Sequence, residues 1–248
     1  MKLTINADDF GKDENATLAI AESFRRGFIT QTTLMVNMPW ADKAVELARK
    51  YGFADKVGLH LNLTEGKPLT AAMACCDVFC NADGEFRGRQ STPEEVDLED
   101  VRRVLIEEIE AQIGRYLGYG LPLKHCDGHH HVQTRLHVAK ILMPILKKYG
   151  FRSIRRPNNV WAGKGLHVRS RIHQSLFARL SRRYGLELTD RFSGWSDGLE
   201  SFARKCSLEV MVHPRYDGEG MLVDVQDFKN NRGRPLQEIV GLKEAFGE

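Results

Sequence analysis

The sequence predicts an α/β fold, specifically a distorted or incomplete (β/α) barrel resembling the TIM barrel, with about seven strand–helix units. Three observations predict it. Short strand-like segments alternate with longer amphipathic segments along most of the chain. A glycine stands at the end of several of these helices, where a C-cap belongs. Helices of this length between strands require crossover connections, so the strands are parallel, and their number favours a barrel over an open sheet.

The composition is that of one globular domain over residues 1–248, since 42% of the residues are hydrophobic. The formal net charge is +3 without a long run of one sign, which predicts neither a nucleic acid nor a membrane as partner. No apolar stretch approaches the ~18 residues of a membrane span. Asp8 and Asp9 fall where a signal peptide needs apolar residues, so we expect a cytoplasmic protein. The five cysteines form no CxxC pair and are expected as free thiols.

Strand and helix patterns alternate from the N-terminus. Ala16, Ile20 and Phe24 are spaced four residues apart and Gly27 follows them, which predicts the first helix and its end. The third strand is recognised by its run of apolar residues. In order, the segments are a strand at 2–6, a helix at 13–26, a strand at 32–36, a helix at 41–51 and a strand at 57–63.

Residues 64–91 interrupt this alternation. They contain glycine, proline, an Asn-Ala-Asp-Gly turn and three of the cysteines, without a sustained period. Loops of this length within a compact domain are usually lids, binding loops or insertions, so we predict a loop insertion here. A helix then begins with Thr92 as the N-cap, Pro93 at the first helical position and Glu95 completing a capping box. We expect it to run to about residue 116.

The alternation resumes in the C-terminal half of the chain. Gly150 and Gly185 mark the ends of two amphipathic helices there. The predicted segments are a strand at 123–127, a helix at 135–149, a strand at 153–155, a helix at 169–184, strands at 186–188 and 208–212, and a final helix at 236–245.

Unusual polar residues stand at or near the C-terminal ends of the predicted strands. They are Asp8, Asp9, His60, the segment 125–131 (His-Cys-Asp-Gly-His-His-His) and His213. In a barrel these ends converge on one mouth, where such folds hold their active sites. Each group also has a plain structural alternative. The aspartates can form a turn and helix cap, and the lone histidines can be core or strand-end residues. The histidine run can be a solvated loop.

The coincidence of these groups predicts metal-assisted hydrolysis. One carboxylate and two histidines suit a divalent cation that keeps positions open for water and substrate. These donors suit zinc, manganese, iron or cobalt, whereas magnesium tolerates nitrogen less readily. In an extended stretch, His129 and His131 point the same way and His130 the opposite way. A second carboxylate could take a proton from the attacking water, and His213 could supply one to the leaving group.

As a set, these motifs resemble the YdjC-like carbohydrate deacetylases, the group that includes chitooligosaccharide deacetylase. They are Asn-Ala-Asp-Asp-Phe-Gly at 6–11, Thr-Thr at 32–33 before Val-Asn at 36–37, Gly-Leu-His at 58–60, Thr-Glu-Gly-Lys-Pro-Leu at 64–69, His-Cys-Asp-Gly-His-His-His-Val at 125–132 and Glu-Val-Met-Val-His-Pro at 209–214. The resemblance implies a distorted (β/α) barrel that removes the N-acetyl group from an acetylated amino sugar or short oligosaccharide. The chain departs from the familiar pattern at residues 71–90, Gly128 and Gln133.

The same resemblance implies roles for individual residues. Asp9, His60 and His129 are the implied ligands of one divalent metal ion. We expect that ion to be magnesium or zinc, with manganese and cobalt as alternatives. Asp8 is the implied general base and His213 the implied general acid. The order within the aspartate pair rests on related deacetylases in which the first aspartate is the base.

Further candidates lie around this set. We expect Asp127 to orient one of the histidines through a hydrogen bond, and His131 to have a similar role or to contact the substrate. Trp40 and Trp161 are candidates for stacking on a sugar ring. Arg155 is a candidate for binding an anionic substituent of the substrate.

Other functions remain open at this point. His129 and His131 form the HxH pair of barrel amidohydrolases and phosphoesterases, and two tightly bound ions per chain would favour such an enzyme. A mononuclear iron oxygenase uses similar ligands but usually a β-rich fold. A non-catalytic sugar-binding protein would bind oligosaccharide without metal and release no acetate. A homodimer is also left open.

Overall fold

The computed structural model describes residues 2–88, 91–160, 167–203, 205–225 and 233–247. Its centre is a seven-stranded parallel sheet with the strand order β5-β4-β3-β2-β1-β7-β6. The strands are β1 Leu3–Phe10, β2 Gln31–Leu34, β3 Val57–Leu61, β4 His125–Gly128, β5 Ser153–Ile154, β6 Arg191–Gly194 and β7 Leu208–Val212. The predicted α/β class is therefore confirmed.

Helices connect these strands. They are α1 Glu14–Arg25, α2 Ala41–Lys50, α3 Ala71–Ala74, α4 Pro93–Asp97, α5 Glu99–Gly118, α6 Leu136–Lys148, α7 Val168–Tyr184 and α8 Val240–Phe246. The predicted capping box at Thr92 and Glu95 is present at the start of α4. The helix predicted there is interrupted at Leu98, whose backbone is extended, so it forms two helices. None of the described helices combines the length and the apolar character that a bilayer span needs.

The sheet is curled, and its two edges meet. An isolated parallel bridge joins Ser153 of β5 to Glu187. Beyond it, the backbone N–H of Asn159 donates to the carbonyl of Phe192 in β6 at 3.3 Å, and the N–H of Phe192 donates to Asn159 Oδ1 at 2.9 Å. These bonds bring the edge strands together without a full ladder. The expected distorted barrel with about seven strand–helix units is the observed architecture.

The strand predicted at 186–188 is reduced to a single parallel bridge, in which Glu187 pairs with Ser153. Gly185 adopts the left-handed conformation that ends α7, and the N–H of Leu186 donates back to the carbonyl of Ser181 at 3.0 Å. This pattern of bonds belongs to a helix C-terminus, so the chain at Leu186 still completes the helix. The strand of this unit follows at Arg191–Gly194.

A three-stranded antiparallel sheet was also missed, because β8 Pro214–Tyr216, β9 Leu222–Asp224 and β10 Arg234–Pro235 are too short for a period to be recognised.

The register of the strands places the strand ends that carry candidate site residues side by side. All eight residues of β1 are buried, and the strand lies between β2 and β7 in the interior of the sheet. Ala7 of β1 pairs with Val212 of β7, so Asp8 and His213 follow at the same level. His60 of β3 pairs with Asp127 of β4 in the same way. The parallel sheet thus brings residues far apart in the sequence to one end of the barrel.

Candidate active site

The end of β1 turns both aspartates toward one cavity. In a regular strand, neighbouring side chains alternate between faces. Asp9 has a φ of 70°, and the register between β1 and β2 is irregular between Ala7 and Phe10. Left-handed backbone is uncommon for a residue other than glycine and costs on the order of 1–3 kcal/mol. Asp8 and Asp9 both line a cavity of about 540 Å³ at this end of the barrel.

His60 and His129 reach the same carboxylate from two other strands. His60 Nε2 lies 3.4 Å from Asp9 Oδ1, and His129 Nδ1 lies 2.9 Å from the same oxygen. The centroids of the two imidazole rings are 5.7 Å apart. Candidate ligand atoms of these three residues all lie within 4.8 Å of one another. The structure therefore brings these three predicted ligand candidates together.

The residues fit a divalent cation. Two donors that each lie ~2.1 Å from a shared ion are separated by roughly 3 Å. The separations from Asp9 Oδ1, 2.9 and 3.4 Å, are of this size. One carboxylate oxygen and two imidazole nitrogens are donors that zinc and similar ions accept. Asp9, His60 and His129 are thus the residues that would hold the metal.

The outer nitrogen of each of these histidines is bound by a carboxylate. His60 Nδ1 lies 2.6 Å from Asp127 Oδ1, and His129 Nε2 lies 2.8 Å from Glu65 Oε2. Metal-ligating histidines usually have such a partner, which fixes the orientation of the ring and its tautomer. The contact predicted for Asp127 is therefore present. Glu65 was part of a recognised motif, but the sequence alone assigned it no role.

The three consecutive histidines do not form an extended stretch. They begin a short 3₁₀ segment, His129–Thr134, in which His130 and His131 have left-handed φ values of 51° and 56°. The alternation expected for His129, His130 and His131 is therefore wrong, and all three line the cavity. His131 Nδ1 has no hydrogen-bond partner among the described residues.

Arg155, predicted as a candidate for binding an anionic substituent of the substrate, is surrounded by carboxylates of the protein itself. Its side chain is fully buried, and its Nη1 and Nη2 donate to the two oxygens of Asp8 at 2.6 and 2.7 Å. Nε donates to Glu209 Oε1 at 2.5 Å. Nη2 also pairs with Asp127 Oδ2 at 2.8 Å. With three carboxylates around it, the guanidinium holds Asp8 in place rather than facing a substrate.

Electrostatics keep the aspartate pair ionised. Burial raises the pKa of Asp8, but Arg155 outweighs burial and holds that pKa below its usual value. Burial likewise raises the pKa of Asp9, and hydrogen bonds from His129 and His60 bring it well below the usual value. Burial and then Arg155 lower the pKa of His131 to about 4. At neutral pH the carboxylates of Asp8 and Asp9 are therefore ionised, and the imidazole of His131 is uncharged.

His213 completes the cavity from β7. Its backbone N–H donates to Asp224 Oδ1 at 2.8 Å, which anchors the residue where β7 gives way to β8. Its side-chain Nδ1 is buried and has no hydrogen-bond partner among the described residues. His213 lines the same cavity as Asp8. Its imidazole is therefore available to a group bound there.

Trp40, one of the two tryptophans predicted to stack on a sugar, lies away from the described lining of the cavity. Trp40 is half-buried just before α2, where its backbone N–H donates to Gly11 at 3.0 Å. Trp161 lies outside the described residues. Lys12 and Arg215 line the cavity, although the sequence analysis had not singled them out.

Comparison with known proteins finds one family model and several similar proteins that match most of the chain. A family model described as "YdjC-like protein" matches residues 2–239. A carbohydrate deacetylase of Brevibacillus brevis is 34% identical over 230 residues, covering 90% of this chain and 84% of that protein. Carbohydrate deacetylase 1 of Listeria innocua is 33% identical over 257 residues, covering 98% and 96%.

A solved structure shares the fold. It is a protein of Enterococcus faecalis named for cellobiose-phosphate cleavage, with a TM-score of 0.69 and 23% sequence identity. The similarity covers 99% of this chain and 94% of that one. At this level of identity the likeness concerns the fold alone.

Proposed function

This chain belongs to the YdjC-like family, and from that membership we propose that it is a metal-dependent carbohydrate deacetylase. The substrate is an acetylated amino sugar or a short oligosaccharide that carries an N-acetyl group. One observation carries the proposal. A chain whose relatives are named carbohydrate deacetylases brings Asp9, His60 and His129 together beside Asp8 and His213 in one cavity. Its volume of about 540 Å³ is in the range of small-ligand sites.

Asp9, His60 and His129 would hold one divalent ion. When bound, such an ion polarises the acetyl carbonyl and lowers the pKa of the attacking water, which suits a carboxylate of low basicity as the base. Of magnesium and zinc, the two metals expected first, the two imidazole donors favour zinc. Manganese and cobalt are compatible with the same donors.

Asp8 is the proposed general base. Arg155 binds both of its oxygens, which keeps it ionised and fixes its position against the cavity. An ionised carboxylate in a fixed place can accept a proton from water as that water attacks the carbonyl carbon. Because Asp8 is not among the three ligands, its role is separable from metal binding.

His213 is the proposed general acid. Its buried Nδ1 has no hydrogen-bond partner among the described residues, so the ring can face a leaving group. Cleavage of the amide requires that the departing nitrogen receive a proton, and an imidazolium can supply one. The products are acetate and the free amino sugar. His131, uncharged and at the same cavity, is a candidate substrate contact.

The proposal is tested by acetate release. Metal-free protein is incubated with N-acetylated mono- and oligosaccharides after addition of each of the four metals in turn, and acetate is assayed. We expect release with at least one metal and none after chelation. Metal-independent binding of oligosaccharide without acetate release would instead identify a sugar-binding protein. Two tightly bound ions per chain would favour an amidohydrolase or phosphoesterase.

A further inference from the structure

We propose that Glu65 is a positioning residue for His129, and that its carboxylate holds the imidazole so that Nδ1 faces Asp9 and the metal. The inference rests on the metal site of the proposed function. His129 Nε2 lies 2.8 Å from Glu65 Oε2, while His129 Nδ1 lies 2.9 Å from Asp9 Oδ1. A carboxylate at Nε2 favours the proton on that nitrogen and leaves the lone pair of Nδ1 toward the site.

Hydrogen bonds from Asn62 restrain the turn that contains Glu65. Asn62 is fully buried, and its Oδ1 accepts hydrogen bonds from the backbone N–H groups of Thr64 and Glu65, both at 3.1 Å. Its Nδ2 donates to the backbone carbonyl of Glu65 at 2.7 Å. An asparagine that bonds the backbone on both sides of a turn restricts the turn to one conformation. The carboxylate of Glu65 therefore starts from a fixed backbone.

Helix α5 supports this turn with polar groups that would otherwise be costly to bury. Gln112 donates to the carbonyl of Asn62 at 2.7 Å, and its Oε1 accepts from the N–H of Asn62 at 3.0 Å. Gln112 also donates to Glu108 Oε1 at 2.8 Å. Glu108 in turn accepts from the backbone N–H groups of Leu69 and Thr70. Buried polar side chains are tolerated when they are paired in this way, and here they connect α5 to Glu65.

Two neighbouring residues, Lys12 and His130, restrain the side chains of Glu65 and His129. Lys12 Nζ lies 2.8 Å from Glu65 Oε2, the same oxygen that His129 contacts, and 3.5 Å from Asp9 Oδ2. The ring of His130 packs over that of His129 at a centroid distance of 4.0 Å. His130 Nδ1 is hydrogen-bonded to Thr64 Oγ1 at 3.0 Å. The consecutive residues Thr64 and Glu65 are therefore paired with the consecutive residues His130 and His129.

Glu65 differs from the corresponding partner of His60 in its exposure. The Asp127 side chain is fully buried, whereas that of Glu65 is 38% exposed. Removing Asp127 would also disturb Arg155, but removing Glu65 leaves the buried ionic cluster around Arg155 intact. Glu65 is therefore the outer carboxylate whose positioning role can be measured without loss of the core.

The test measures metal affinity directly. Metal-free wild type, Glu65→Ala and Glu65→Gln are titrated with Zn²⁺ against a chromophoric chelator, and their Co²⁺ complexes are compared by absorption spectroscopy. We expect Glu65→Ala to weaken zinc binding about 10- to 100-fold with the same cobalt band positions, because the ligand set is unchanged. Glu65→Gln keeps an acceptor oxygen and should lose less. Glu85→Ala, an exposed glutamate of the same loop, is the matched control and should bind as wild type.

Two results would overturn the inference. The first is unchanged zinc affinity in both Glu65 variants. The second is a loss as large as that of His60→Ala with a shifted cobalt spectrum, which would make Glu65 a direct ligand. If Glu65→Ala does not fold, the affinity of Glu65→Gln decides by the same criteria. Failure of the proposed function is distinguishable, because His60→Ala would then bind zinc as well as wild type does.

Discussion

The residues Asp8 and Asp9 show how two neighbouring side chains of one type acquire different chemistry. The left-handed backbone at Asp9 allows both to enter the cavity, yet their partners differ. Asp8 is bound by a guanidinium, whereas Asp9 is bound by two imidazoles. An arginine stays protonated and cannot ligate a cation, whereas neutral imidazoles are good ligands. This difference supports the proposal that Asp8 is the base and Asp9 the ligand.

We predict that Asp8→Asn retains the metal and loses most of the activity. An amide of nearly the same shape keeps the cavity but cannot accept a proton, and a positioned base contributes about 10²- to 10⁴-fold to the rate. Metal content and kcat are measured on the same preparation. Asp83→Asn, on an exposed turn, is the control. Loss of metal with normal turnover per bound ion would exchange the roles of the two aspartates.

We predict that His213→Ala lowers kcat by about 10²- to 10⁴-fold while metal affinity stays unchanged, because His213 is not among the three ligands. A substrate with a better leaving group than an amine, such as an O-acetyl ester, should be affected less, since it needs less protonation. The ratio of amide to ester hydrolysis is therefore the informative measurement. An equal loss on both substrates would exclude the acid role.

The sequence predicted the position of a site residue best where the local pattern around that residue was informative. The ligand candidates stand at strand ends, and that place can be read from local periodicity. The role of Arg155 could not be read in this way, because its partner Asp8 is 147 positions away. The same applies to Glu65 and His129, which are 64 positions apart. Their pairing depends on the curvature of the sheet and on loop conformations that no local pattern encodes.

At the scale of elements, the site depends on how α5 is fastened to the sheet. Tyr116 is fully buried on this helix, and its hydroxyl donates to the carbonyl of Val57 at 2.9 Å and also contacts that of Leu123. These carbonyls stand at the start of β3 and just before β4. The hydroxyl therefore ties α5 to the two strands whose other ends carry His60 and His129.

We predict that Tyr116→Phe lowers the free energy of unfolding by about 1–3 kcal/mol, because buried carbonyl oxygens lose their donor while the ring stays in place. Urea unfolding of the metal-free protein gives this value. Tyr51→Phe is the control, since Tyr51 is 39% exposed. A change within ~0.5 kcal/mol of the control, the range of ordinary surface substitutions, would show that the hydroxyl contributes nothing to this connection.

Elements were predicted from the sequence when their period was long enough to be seen. The helices α1, α2, α6 and α7 lie within a residue or two of their predicted bounds. The strand β6 was missed, and the strand predicted at 186–188 is only a bridge at Glu187, because the C-terminal bonds of α7 extend to Leu186. The interruption at Leu98 was missed because the apolar spacing continues through it. Capping and helix-end geometry, rather than hydrophobicity, decided these cases.

At the scale of the whole molecule, the barrel gathers an ionic cluster that an open chain would keep apart. Asp8, Asp127 and Glu209 come from three strands and meet around Arg155. Removing Arg155 would leave three buried carboxylates without their guanidinium, and breaking a buried ion pair typically costs 3–5 kcal/mol. The cluster therefore couples the stability of the fold to the protonation of the groups near the site.

The pH dependence of stability follows from His60. Burial lowers its pKa, but Asp127 outweighs burial and raises it to about 10, above the ~6.5 of an unfolded chain. A group with a raised pKa contributes stability that is fully present below its unfolded value and is lost as pH rises through its folded value. We therefore expect the Tm of the metal-free protein to fall between about pH 7 and pH 10, with part of the fall absent in His60→Gln. The exposed His167, changed to Gln, is the control. An equal fall of Tm in wild type and His60→Gln would mean that the Asp127–His60 pair does not contribute to the pH dependence of the stability.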